Sequence, residues 1–290
     1  MAGRNISYMP LTATPFRHND QYREISSDNL ELAKYIRCFW GSENPYGEIR
    51  KIAEASVIIP DTCVDIIYQI NHTESTVTGG FCGINDASFL YHECIKPGHL
   101  VSVFAIRFYA WGAYSFAEDS LTDTLNQYCD ISSRFRRLDE ILRPQLLEKQ
   151  TLKERIAITE DIFLRQLSKL RQNDNVDNAV RLILQQKGAL SVNMLARECF
   201  ISIRQQERLF REYIGITPKK LCNLIRYQCL WNEILSNPVF CIQDAACRYG
   251  YSDQSHLMRE FKRYHTMNIE KAKACAYKDV GNIQDNHRKS

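Results

Sequence analysis

The feature that most constrains this 290-residue chain is an imperfect internal repeat near its C-terminus. "SVNMLARECFISIRQQERLF" and "IQDAACRYGYSDQSHLMREF" align as helix, tight turn, helix. Ala196 matches Ala246 and Ser202 matches Ser252 at a separation of 50, whereas Arg208 with Arg259 and Phe210 with Phe261 lie 51 apart. The second copy is therefore one residue longer after its serine. The small alanine lets the two helices of a unit cross closely, and the serine caps the second helix by accepting from a free backbone amide. Gly250 supplies the left-handed residue that ends the first helix of the second unit. Between the units, "TPKKLCNLIRYQCLWNEIL" reads as one long helix, with Thr217 as cap and Pro218 at its first position, joining both units into a rigid pair.

The second helix of the second unit has two unlike faces. Leu257, Phe261 and Tyr264 share one, while Gln254, Ser255, His256 and Arg259 share the other. A helix fits the major groove, where side chains near its start reach base edges. Gln254 suits adenine, Arg259 suits guanine or a phosphate, and Ser255 and His256 are short enough for either role. Arg204, Gln205 and Arg208 hold the corresponding face of the first unit. Lys262 and Arg263 extend past the groove toward phosphate, and Ser202 and Arg211 are the phosphate candidates of the first unit. Charge is segregated in the same sense: residues 174–290 hold 18 Lys and Arg against 12 Asp and Glu, and the rest of the chain 19 against 22. A basic surplus at the repeat fits a polyanionic partner. A solvated helix face is the competing reading for any one of these residues, but not for two capped units in tandem around one helix.

Residues 176–264 resemble the DNA-binding domain of AraC/XylS transcription regulators, through "LAREC", "ISIRQQERLF", "IGITPKK" and "IQDAACRYGYSDQSHLMREFKR". The resemblance implies a seven-helix domain whose two recognition helices enter successive major-groove segments on one face of double-stranded DNA. It also implies activation of transcription through contact with RNA polymerase. Three departures stand out. Phe200 replaces the usual turn glycine, Gln206 replaces an apolar residue, and "YHTMNIEKAKACAYK" replaces a Gly-x-Thr-Pro continuation, which leaves a last helix either altered or poorly packed as the expectation.

From about residue 30 to 128 the pattern is strand-like: "ASVIIPDTCVDIIYQI" and "HLVSVFAIRFYAWGAY" are β-branched and aromatic runs bounded by turn formers. Leu32, Tyr35, Ile36 and Phe39 fit one face of a short helix leading in. "YIRCFW", "IIPDTCVDIIY", "FCGI" and "IRFYAWGAY" resemble the N-terminal domain of one subgroup of AraC-type regulators, which implies effector sensing or dimerisation. Residues 131–171 are helical in pattern, with Ile156, Ile162, Phe163, Leu167 and Leu170 at helical spacing. Pro144 interrupts or begins one of these helices, and "RQNDNVD" marks a break. Apolar stripes beyond the needs of a tether suit pairing with a second copy, hence a homodimer.

The expected fold class is α+β. It comprises a β-rich, cupin-like sensing domain over 1–130, a helical connector over 131–173, an all-α domain with two helix-turn-helix units over 174–278, and an unstructured tail over 279–290. For the unknown small-molecule effector, Asp61, Cys63 and Asp65 alternate along one strand and share a face, with Arg107 and Trp111 as further candidates. Trp40, Tyr68, Phe104, Phe108 and Trp111 form either a concave pocket or simply core.

Other function classes are excluded or set aside. Composition, 44% apolar and 24% charged, is that of a folded protein. No run of about 18 apolar residues occurs, so no membrane span is expected. The N-terminus has no apolar leader segment, and the eleven cysteines form no CxxC pair, so reduced thiols in the cytoplasm, at the nucleoid, are expected. A thiol- or metal-responsive regulator using Cys63, Cys82 or Cys94 is the alternative. A metal-dependent cupin-like enzyme using His92, Glu93, Cys94 and His99 is the remote one, because 92 and 93 point to opposite faces of a strand. No cofactor is implied. The expected protein is a sequence-specific transcription regulator, an activator controlled by a small molecule, and not an enzyme.

Overall fold

A computed structural model describes residues 8–14, 22–47, 56–91 and 95–276. Among the described residues there are nine strands: β1 Ala13–Thr14, β2 Tyr22–Ile25, β3 Ile36–Ser42, β4 Ser56–Ile58, β5 Cys63–Asn71, β6 Thr76–Cys82, β7 Phe89–Tyr91, β8 Val101–Tyr109 and β9 Tyr128–Asp130. Six make an antiparallel sheet in the order β2-β3-β8-β5-β6-β9, and β1-β4-β7 make a small second one. β8 is apolar almost throughout because both of its faces are covered. β5 alternates: Val64, Ile66, Tyr68 and Ile70 are buried on one face, while Asp65, Gln69 and Asn71 occupy the half-covered other face. The expected lead-in helix shrinks to a 3-10 turn at Leu32–Lys34; Ile36 and Phe39 lie in β3 and are buried by the sheet.

After β8 come α1 (Ala110–Ala113), α2 (Ser132–Leu146) and α3 (Leu152–Gln166). α2 and α3 lay their apolar stripes on the sheet. Phe108 stacks on Phe135 at 6.0 Å and meets Phe163 edge-on at 5.6 Å, and Leu138, Leu142, Leu146, Leu152 and Ile156 join the same core. The stripes expected to pair with a second copy are thus buried within the chain. Pro144 neither breaks nor begins a helix but sits in the last turn of α2, and α3 opens with a capping box between Thr151 and Glu154.

The C-terminal half is helical: α4 Asp174–Gln185, α5 Val192–Glu198, α6 Ile203–Ile214, α7 Pro218–Ser236, α8 Ile242–Arg248 and α9 Gln254–His265, followed by a helical stretch over 269–276. Asn173 caps α4 by accepting from the amides of Asn175 and Val176. Gly188, at φ +75°, lets the α4–α5 turn touch α7, since a Cβ there would lie 2.1 Å from the Cys222 carbonyl oxygen. The last helix is well packed, contrary to expectation: Ile269, Ala272 and Ala276 are buried, and Asn268 caps it by accepting from the Lys271 amide at 2.8 Å. The expected tail, 279–290, lies outside the described residues.

The two halves are docked on each other through α7. Gln228, fully buried, accepts from the Leu11 amide at 2.8 Å and donates to the carbonyls of Leu11 at 2.8 Å and Pro60 at 2.6 Å. Asn232 donates to the Met9 carbonyl at 3.0 Å. The end of α6 rests on the loop after α1, where Leu121 donates to the Glu212 carbonyl at 2.9 Å and Tyr114 packs on Tyr213 at 3.8 Å. Lys220 pairs with Asp86, and Ser88 donates to the Tyr264 carbonyl.

Candidate nucleic-acid interface

Each helix-turn-helix unit is built by local rules. In the first, Ser191 caps α5 and Ser202 caps α6, accepting from the Gln205 amide at 3.2 Å. Leu209, Phe210 and Ile214 turn inward, leaving Arg204, Gln205, Arg208 and Arg211 exposed on the outer face. α6 ends at Gly215, φ +85°. In the second, Ala245 and Ala246 are buried beneath the crossing, and Gly250 adopts φ +68° as expected. The cap of α9 is Asp253, which accepts from the His256 amide at 2.7 Å, and not Ser252. That bond holds the Asp253 carboxyl below its ordinary range. The shift of the cap by one residue accounts for the extra residue in the second copy.

Both departures in the first unit have structural consequences. Phe200 takes φ +56° in the turn and is 94% exposed, a conformation costing about 1–2 kcal/mol for a non-glycine residue. Gln206 is completely buried with neither amide atom partnered among the described residues, a cost of about 1–3 kcal/mol.

The candidate side chains divide by what holds them. Gln254, Ser255, Arg259 and Lys262 are exposed along one face of α9. His256 is held at the turn: its Nδ1 lies 3.1 Å from the Ser252 hydroxyl and its ring stands edge-on to Tyr251. Arg263 pairs with Glu260 at 3.3 Å and lies over the Tyr264 ring. Arg208 pairs with Glu212 at 3.2 Å. Arg226 of α7 fixes the rotation of α9, pairing with Glu260 at 3.4 Å and stacking over Tyr251 at 4.4 Å. Beneath α9, His265 is sealed among Tyr227, Trp231 and Phe261, and burial pushes its pKa down to about 4. Counting from the caps also brings forward Ile203 and Met258, 43% and 46% exposed on the recognition helices. A search for polar residues passes over both.

In the N-terminal domain the structure brings four of the five effector candidates together. Arg107 pairs with Asp61 and, at 3.6 Å, with Asp65, which also accepts from the Trp40 indole at 2.9 Å. Burial opposes the charge of Arg107, but Asp61 and then Asp65 outweigh it and raise its pKa. Burial raises that of Asp65. Trp111 lies apart, stacked on Tyr109 at 5.0 Å. Burial pushes the Cys63 thiol up strongly and Cys82 to about 11, so neither presents a thiolate at neutral pH. Cys94, His92 and Glu93 lie outside the described residues. His99 bonds Asn71 at 2.9 Å, and no group of three metal-ligating residues occurs among the described residues. Farther along the half-covered sheet face is a cavity of about 230 Å³ lined by Gln69, Asn71, Thr76, Thr78, Lys96 and His99.

Two capped helices with exposed amide and guanidinium groups are braced on one shared helix, as a double helix-turn-helix unit. Residues 195–274 match the helix-turn-helix domain family, and residues 29–130 match a domain of unknown function (DUF6597). Residues 195–274 are thus a helix-turn-helix domain. An AraC-type transcriptional regulator from Chromobacterium violaceum is 22% identical, with 34% of this chain and 89% of that one covered and a TM-score of 0.31. The C-terminal domain of AraT, a response regulator from Geobacillus stearothermophilus, is also 22% identical, covering 36% and 87%, at 0.34. An apo ToxT variant from Vibrio cholerae is 9% identical over 88% of this chain and all of its own, at 0.40. No curated protein matches the chain. No helix among the described residues is long and apolar enough to cross a membrane.

Proposed function

We propose that this chain is an AraC-type transcription regulator that binds a specific duplex sequence by placing α6 and α9 in successive major-groove segments. We further propose that a small molecule held on the half-covered face of the N-terminal sheet controls it, and that it activates transcription through RNA polymerase. The observation that carries the DNA reading is the pair of exposed recognition faces fixed to α7. The small-molecule reading is supported by the polar cavity beside Gln69 and Asn71, on the same sheet face as Asp65. A homodimer has to use surfaces other than the apolar stripes of α2 and α3.

The test is binding of the full chain to a duplex selected from a random pool. Arg259→Ala and Gln254→Ala are expected to cost about 1–3 kcal/mol each on the selected duplex and to relax base preference. Lys262→Ala weakens binding to all sequences alike and lowers the salt dependence. Equal losses on selected and random DNA for all three variants refute these roles.

A further inference from the structure

Resting on the reading of α6 as a recognition helix, we propose that Glu207 is a base-reading residue that selects a cytosine in the half of the DNA site facing α6. Counting from the two caps pairs Ile203 with Gln254, Arg204 with Ser255, Glu207 with Met258 and Arg208 with Arg259. Glu207 lies on the outer face of α6, one turn after Ile203 and Arg204 and one turn before Arg211, while Gln206 and Leu209 beside it point inward. It is exposed, and among the described residues no ion pair or hydrogen bond engages its carboxylate. This holds although Arg204, Arg208 and Arg211 are its helix neighbours; Arg208 turns to Glu212 instead.

A carboxylate on a face that approaches a polyanion is repelled by phosphates in every complex. In the major groove the cytosine N4 amino group is the edge that compensates it. Guanine and thymine offer acceptors, and adenine sets its N7 lone pair beside its amino group, against the second carboxylate oxygen. Glu207 therefore lowers affinity for DNA in general and restores it opposite cytosine. Met258, at the matching place in α9, is apolar and exerts no such choice. The two halves of the site are chemically unlike, so one chain reads an asymmetric sequence.

The experiment selects duplexes from a random pool with the full-length chain and with Glu207→Gln, then measures affinity by fluorescence anisotropy on three targets. These are the selected duplex, versions carrying each other base at the selected cytosine, and random duplex. The wild type is expected to select cytosine at one position and to lose roughly tenfold when it is replaced. Glu207→Gln is expected to lose that preference, to favour adenine there, and to bind random duplex more tightly. An unchanged cytosine preference, or a loss spread equally over all duplexes, overturns the proposal. A wild-type chain that selects no sequence overturns the DNA-binding reading itself, which keeps the two failures distinct.

Discussion

Replacing Gln228 tests how the two halves of the chain are held together. Its amide makes three hydrogen bonds to backbone that is 217 and 168 residues away in sequence, at 2.8, 2.8 and 2.6 Å, and the side chain is fully buried. In Gln228→Ala the Leu11 amide and the Leu11 and Pro60 carbonyls lose their partner. A buried group left unsatisfied costs about 1–3 kcal/mol, and entry of water into the space left behind keeps each near the low end, for a total of about 3 kcal/mol. Gln228→Met holds the volume and removes only the hydrogen bonds, so it is expected to lose nearly as much. Gln228→Glu keeps an acceptor for the Leu11 amide but cannot donate to either carbonyl, and it buries a charge. The assay is urea unfolding followed by tryptophan fluorescence, paired with native-state hydrogen exchange at Leu11. Loss of under about 0.5 kcal/mol with unchanged Leu11 exchange refutes the reasoning, because the docked segment would then be held by something other than Gln228.

His265 makes stability acid-sensitive. Its folded pKa of about 4 lies below the ordinary 6.5, so the stabilisation is full above pH 6.5 and is lost as pH falls toward 4, by up to about 3 kcal/mol at 1.36 kcal/mol per pH unit. Urea midpoints measured from pH 7 to 4 for wild type and His265→Gln check this, and parallel curves refute it. Arg107→Leu strands the buried carboxylates of Asp61 and Asp65 and is expected to cost about 3–5 kcal/mol. Thermal melts at pH 7 check it, and a loss below about 1 kcal/mol counts against a buried pair.

Much of the fold was legible because local rules and burial point the same way. The alternation in β5, the largely apolar run of β8 and the doubled helix-turn-helix pattern each survive in the structure. Three local ambiguities misled. Ile36 and Phe39 fit a helix face by spacing and a strand by residue type, and pairing with β8 decides for the strand. An apolar stripe on α2 or α3 says that something covers it, not whether that is a sheet or a second chain. Ser252 and Asp253 can both cap a helix, and only the geometry of the turn chooses the aspartate. The candidate base-reading residues were legible where polarity marks an exposed helix face, as at Gln254 and Arg259. The contact of His256 with Ser252 was not legible, because it depends on the geometry of the adjoining turn. Nor was the exposure of Ile203 and Met258, because it depends on how each helix packs.

What no local rule discloses is the connection between the two domains. Trp40 donates to Asp65, Asp65 pairs with Arg107, Arg107 pairs with Asp61, and Asp61 accepts from the Thr12 hydroxyl at 2.8 Å. The preceding residue, Leu11, is the one that Gln228 of α7 holds by both its amide and its carbonyl. A polar path therefore runs from the half-covered sheet face to the helix that carries both recognition units. A bound molecule shifts such an arrangement only by its difference in affinity between docked and undocked states. If release of Leu11 costs about 3 kcal/mol, a ligand must favour one state by roughly a hundredfold to move the equilibrium by a comparable amount. A ligand in the cavity at Gln69 and Asn71 can work toward that figure by disturbing the Asp65–Arg107 pair, because the strand register places both residues farther along the same face. An effector that leaves this pair intact has to act through another contact with α7, such as the Lys220–Asp86 pair.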